Sequence, residues 1–230
     1  MTAWTPVSIV GYNTSPPPDD GSQVAGNKVS WATEKTKLTD PLNVAIVALN
    51  SSGAAMGAVV STMGKNTYWI PGLAMAARTT NGGTQTTAET ASNKIMEKSV
   101  SFSPTTTQFA QWAIGLPKSY NLGTVTANFD WLCSSTGNVV WGLQAVGVGD
   151  GDTFDATFGT AIETTDNVLS ITQKMSSAES SPVTISAIAS GDLSIFQVYR
   201  NATSTGNTAT SAARLLGVRL FFTTNAADDT

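Results

Sequence analysis

The chain has no histidine among its 230 residues. That removes Ser-His-Asp and Cys-His nucleophilic catalysis and every histidine-ligated metal site. It has one cysteine, Cys133, so no intrachain disulfide can form. A nucleophilic Cys133 would need a neighbouring base, and without histidine the expected role is a small, inert side chain. Charge is scarce too: Asp, Glu, Lys and Arg make up 12% of the chain, against roughly 25% in ordinary soluble domains. The net charge is −4 and no basic stripe stands out, which excludes phosphate-backbone recognition and so a nucleic-acid partner. No apolar run is long enough to span a bilayer, so membrane insertion is not expected. No glycine-rich phosphate loop follows a strand and opens a helix, and no cofactor is implied. Met1-Thr2-Ala3-Trp4-Thr5-Pro6 lacks the basic and apolar regions of a secretory leader. With the single cysteine, this gives the expectation of synthesis and retention in a cytoplasm. No repeat of fixed period is present, which argues against propellers and solenoids.

What fills the deficit of charge is Thr, Ser, Asn and Gly. Such surfaces suit proteins that pack side by side, because few charges must be desolvated at contacts. They are also common on ordinary all-β proteins. The period-two signal is strongest in Val125-Thr126-Ala127-Asn128-Phe129-Asp130-Trp131. There Val125, Ala127, Phe129 and Trp131 share one face and Thr126, Asn128 and Asp130 the other, the pattern of a half-buried strand.

Three regions follow from the pattern. Residues 1–27 read as an extended arm: Pro16-Pro17-Pro18 favours polyproline geometry and Asp19-Asp20-Gly21-Ser22 a turn. Residues 28–65 carry short helical stripes. Asp40 caps and Pro41 opens one of them, with Leu42, Ala45, Ile46 and Leu49 on one side and Leu38 upstream. These stripes either pack on the following domain or meet copies of themselves in an oligomerisation stem. Residues 66–230 read as β. A first strand runs over 68–71, and further strands are expected over 94–102, 108–115, 122–132, 138–148, 168–173, 183–188, 193–200 and 214–224, with short helices at 153–160 and 209–213. Eight or nine short strands with polar turns predict an antiparallel, jelly-roll-like β-sandwich.

Few constellations carry chemistry. Asp150, Asp152 and Asp155 form the densest acidic loop, with Asp-x-Asp spacing that can offer oxygens to calcium. Phe154 occupies the fifth loop position, where a calcium loop wants Asp or Asn, so a solvated, Asp-capped turn is the competing reading. Asp130, Asp152, Glu163 and Asp166 are the carboxylates from which a glycosidase pair would be drawn, but linear order brings no two of them together. Trp112, Trp131 and Trp141 lie inside strand runs and are expected in the core. Tyr68, Trp69 and Tyr120 are the candidates for stacking on a sugar ring. Tyr68 and Trp69 are adjacent, so only one can face inward, and Tyr120 sits in a turn that is expected to be exposed. Arg200, Arg214 and Arg219 alternate with apolar residues, to pair with Asp130 or Asp192 or to face solvent or a neighbouring subunit.

Several segments carry a resemblance. Tyr12-Asn13-Thr14-Ser15-Pro16-Pro17-Pro18-Asp19-Asp20-Gly21, Asn27-Lys28-Val29-Ser30-Trp31-Ala32 and Lys35-Thr36-Lys37-Leu38-Thr39-Asp40-Pro41-Leu42 are three of them. Pro117-Lys118-Ser119-Tyr120-Asn121-Leu122-Gly123-Thr124-Val125 and Ala213-Arg214-Leu215-Leu216-Gly217-Val218-Arg219-Leu220-Phe221-Phe222 are the others. The chain resembles small structural proteins of tailed bacteriophages, of the tail-fibre-like, head-fibre and decoration type. The resemblance implies a virion subunit without catalytic activity, homo-oligomeric and often trimeric. It implies an arm that docks on a capsid, neck or tail protein, for which Tyr12, Pro16, Pro17 and Pro18 are the candidates. Leu38, Leu42, Ile46 and Leu49 would oligomerise, and the sandwich would project outward, with a host-surface glycan as a further partner. The alternatives are a carbohydrate-binding adhesin module and a glycan depolymerase.

Overall fold

The computed structural model describes residues 65–226 and 229. The expectations for the arm and the helical stripes, including Tyr12, Pro16, Pro17, Pro18, Leu38, Leu42, Ile46 and Leu49, fall outside the described residues.

The described chain is a two-sheet β-sandwich, as the strand pattern predicts. Sheet I holds β1 (Lys65–Pro71), β3 (Thr84–Glu89), β4 (Met96–Phe102), β6 (Thr126–Cys133), β9 (Met175–Ser176) and β12 (Ala213–Thr223). Its order is β3-β4-β12-β6-β9, with β1 also paired to β12. Sheet II holds β2 (Ala76–Ala77), β5 (Gln108–Gly115), β7 (Asn138–Val148), β8 (Ile162–Asn167), β10 (Ile185–Ser186) and β11 (Leu193–Arg200), in the order β10-β7-β11-β5-β2 with β8 also on β7. Pairing is antiparallel except for the two-residue contact of β10 with β7.

Alternation decides which side chains meet between the sheets. Ala127, Phe129 and Trp131 of β6 are fully buried, as are Trp141 and Leu143 of β7, Phe196 and Val198 of β11 and Leu215, Val218 and Leu220 of β12. Trp141 is the centre: Phe129 stacks on it at 5.8 Å, and Phe102 and Trp131 meet it edge-on at 5.5 and 5.9 Å. Burying each such side chain contributes about 1.5–3 kcal/mol. Trp131 also donates its indole N–H to Asp166 Oδ2 at 2.8 Å, so its polar atom is satisfied at the sandwich edge. Trp112 is buried as expected and stacks on Phe196 at 5.3 Å. Cys133 is buried and free.

Four expectations are corrected. Residues 153–160 and 209–213 are not helical. Gly159 N–H bonds Ala145 O of β7 at 3.0 Å, and Ala209 N–H bonds Asn138 O at 2.9 Å, so both segments follow strand edges. Arg200 does not face solvent; it points into the sandwich and is fully buried. Its guanidinium donates to Ser211 O at 2.7 Å, Ala209 O at 2.6 Å and Asn207 Oδ1 at 2.8 Å, which satisfies the buried donors. Residues 168–173 form a turn closed by Gln173 N–H to Ser170 O at 3.1 Å, and the strand lies just before it, at β8.

Candidate functional site

The site begins with a strand that has two different faces. Tyr68 and Ile70 of β1 pair with Leu220 and Val218, which are core residues, whereas Trp69 pairs with Arg219 on the outer face of sheet I. Trp69 is 47% exposed, while the other described tryptophans are buried. Its indole extends diagonally over Gly217: a β-carbon at that glycine would fall 2.4 Å from Cη2 and 2.5 Å from Cζ2 of the ring. Only glycine lets the ring settle there, which holds an aromatic surface against the sheet with its other side toward solvent.

The same glycine follows an irregularity in the ladder. Leu215 pairs with Trp131 and Gly217 with Asp130, so Leu216 is the extra residue of a β-bulge. Bulges re-aim side chains next to functional sites, and this one sets Gly217 and Arg219 of β12 beside Asp130 on the outer face. Asp130 is only 4% exposed, although its alternation is that of a wet position. The cover is ionic. Lys174 Nζ lies 2.7 Å from Asp130 Oδ1, and Ser176 also donates to that oxygen. Arg219 reaches Oδ2 through Nε at 3.1 Å and Nη2 at 3.0 Å. Burial by itself would raise the Asp130 carboxyl, but the hydrogen bonds from Lys174 and Ser176 and the charges of Lys174 and Arg219 outweigh it and hold the group below the usual carboxylate range.

Thr67, Trp69, Asp130, Lys174, Leu216 and Arg219 line one open concavity of about 570 Å³. Beside it on the same face, Lys65 lies 5.0 Å from the centre of the Phe221 ring and pairs with Glu179 at 2.7 Å. The Lys65 hydrogen bond, helped by one from Thr126, lowers the Glu179 carboxyl. The arrangement offers an apolar ring, cationic donors and hydroxyls on a rigid sheet. Among the described residues Asp130 is the carboxylate of this concavity, and its partners favour the anion.

Tyr68 lies on the opposite side of β1. Its ring packs on Phe222 at 4.8 Å and borders a second hollow of about 370 Å³ with Asn66, Pro117 and Ser119. Tyr68 and Trp69 are thus both reachable, but from opposite faces. Tyr120 corrects the expectation of an exposed turn residue: it is 5% exposed, stands edge-on to Phe222 and donates its hydroxyl to Gly123 O. Burial pushes its phenol up to about 12. It holds the turn onto the core and offers no surface to a ligand.

Three further candidate carboxylates are engaged structurally. Glu163 Oε1 accepts from Tyr199 at 2.9 Å and Asn201 at 2.8 Å, and Asp166 accepts from Trp131. Asp152 Oδ2 accepts from Gly149 N–H at 2.9 Å and so caps the acidic turn. Among the described residues no three His, Cys, Asp or Glu side chains converge as a metal-holding group, and Asp150, Asp152 and Asp155 do not form one. Arg214 pairs with Glu97 at 2.8 Å, and Arg219 takes Asp130, one of the two partners expected for the strand arginines. Lys174 is not legible in the sequence as part of any site: it lies between a turn and β9, 44 residues from the aspartate it contacts.

No protein-family model and no characterised protein matches the sequence. Solved carbohydrate-binding modules are similar in structure at low identity. The CBM35 module of Cellvibrio japonicus Abf62 is 12% identical with a TM-score of 0.39, over 67% of this chain and 92% of that module. The CBM22-2 xylan-binding domain of Paenibacillus barcinonensis Xyn10C is 14% identical with a TM-score of 0.41, over 68% and 99%. A CBM36 module in complex with calcium and xylotriose is 13% identical with a TM-score of 0.34, over 68% and 98%.

Proposed function

We propose that this chain is a non-catalytic glycan-binding β-sandwich whose ligand stacks on Trp69. The observation that carries it is the exposed indole seated on Gly217 beside Arg219, Lys174 and Thr67. Sugar rings present an apolar C–H face and a rim of hydroxyls. An aromatic surface with a few convergent polar groups matches both. Because the strands are hydrogen-bonded and the cations are held by Asp130, little ordering is needed on binding. The test is a glycan array probed with the full chain and with Trp69→Ala. Binding to defined glycans, lost in the variant, supports the function; no binding to any glycan rejects it.

The setting proposed for it is the surface of a tailed-phage particle, as a fibre or decoration subunit, with the arm of residues 1–27 as the attachment. What supports this is the resemblance of the arm and strand segments to such proteins. Deletion of residues 1–27 should prevent incorporation into particles while leaving a soluble protein. Normal incorporation of the truncated chain would reject the docking role of the arm.

A further inference from the structure

The charges around Trp69 narrow the class of saccharide, on the premise that Trp69 is a glycan site. A site for neutral sugars offers acceptors as well as donors to the hydroxyls. Here the one carboxylate among the described residues of the concavity is spent: Asp130 Oδ1 receives Lys174 and Ser176, Oδ2 receives Arg219 twice, and the side chain is 4% exposed. The charged groups left facing solvent are cationic, with Lys174 47% and Arg219 50% exposed. Arg219 uses Nε and Nη2 on Asp130, which leaves Nη1 for a ligand, and the ammonium of Lys174 keeps one of its three hydrogens beyond those given to Asp130 and Ser176. Two cations against one anion leave a local excess of one positive charge on a chain whose net charge is −4. The other ion pair on this face, Lys65 with Glu179, is neutral overall.

We propose that the Trp69 site selects carboxylate-bearing sugars, the hexuronic acids. The sugar ring packs on the indole and its carboxylate bonds Arg219 and Lys174. Asp130 then has a defined role. It holds the two cations in place before the ligand arrives, so that less side-chain freedom is lost on binding, and the planar guanidinium meets a planar carboxylate.

The experiment uses the full chain and oligosaccharides of glucuronic, galacturonic and mannuronic acid, each beside its carboxyl-reduced neutral counterpart, at low and at high salt. The acid is expected to bind about twofold to fivefold more tightly than its reduced partner at low salt, the range of a partly exposed ion pair. That ratio should shrink at high salt. Lys174→Gln leaves Arg219 and Ser176 on Asp130, so its fold is checked by a cooperative melting curve with only a modestly lowered midpoint, while its acid-to-neutral ratio is expected to fall. Arg219→Gln is the second variant, expected to lower the same ratio. Equal binding of the acid and reduced forms, with both lost in Trp69→Ala, overturns the uronate selection and leaves the glycan site standing. A sulfated neutral oligosaccharide completes the panel, and a preference for it over the uronates overturns the carboxylate assignment. Failure of every glycan, acidic or neutral, removes the glycan site and this inference with it.

Discussion

Asp130→Asn removes one negative charge and almost no volume, which makes it a clean probe of the cluster beside Trp69. In the native protein the carboxylate is nearly buried while Lys174 and Arg219 are about half exposed. Breaking a fully buried ion pair costs about 3–5 kcal/mol. Here both cations return to water on losing their partner, and exposed pairs are worth about 0.2–1 kcal/mol. The amide oxygen of asparagine still accepts one or two of the bonds. The expected loss is therefore about 1–2 kcal/mol at pH 7, or roughly 2–8 °C in Tm for a domain of this size. The pH dependence carries the stronger test. The folded carboxyl is depressed, so its stabilisation is full above the unfolded value of about 3.9 and is lost as pH falls through the lower folded value. Melting curves of both proteins from pH 7 to pH 2 should show a gap that is constant above about pH 5 and closes on acidification. A gap below about 0.3 kcal/mol at pH 7, or one that does not change with pH, would refute the electrostatic account of the cluster.

Other perturbations separate the platform from the core. Arg200→Met removes a fully buried guanidinium and strands the carbonyls of Ala209 and Ser211; thermal unfolding should show a loss of about 3–5 kcal/mol. Tyr120→Phe deletes the bond to Gly123 O and should cost about 1 kcal/mol at pH 7. Since burial raises this phenol to about 12, its stabilising share is full below the unfolded value of about 10 and is lost as pH rises toward the folded one. The variant should therefore lose less stability than the wild type between those values, read by alkaline melting. Gly217→Ala forces its new methyl against the indole and the Ile70 carbonyl; a cost of about 1–3 kcal/mol and a change in the Trp69 fluorescence maximum are expected.

How much was legible in the sequence follows from where the apolar residues lie. Strands β5, β7 and β11 match their expected bounds because apolar or aromatic side chains run to within one position of each end. Strand β3, Thr-Gln-Thr-Thr-Ala-Glu, is an exposed edge with almost nothing to bury, so no periodicity marks it. Strand β8 is similar, and the apolar Val168, Leu169 and Ile171 just after it drew the expectation into the turn; Leu169 is in fact 75% exposed. Arg200 shares its strand face with Phe196 and Val198, so alternation places it inside, and only its charge draws the expectation toward solvent. Trp69 was a candidate from composition, but its setting was not readable. It depends on Gly217, 148 positions away, and on a bulge at Leu216 that appears only when β12 pairs with β6.

If a glycan rests on the face of Trp69, isothermal titration of the full chain with a glycan bound on the array, repeated with Trp69→Ala, will show it. The variant should still unfold cooperatively, with a melting temperature lowered by about 2–8 °C because half of the ring is buried on the sheet, and should bind at least tenfold more weakly, as removal of an aromatic anchor does. Unchanged affinity in a folded Trp69→Ala protein would contradict the account.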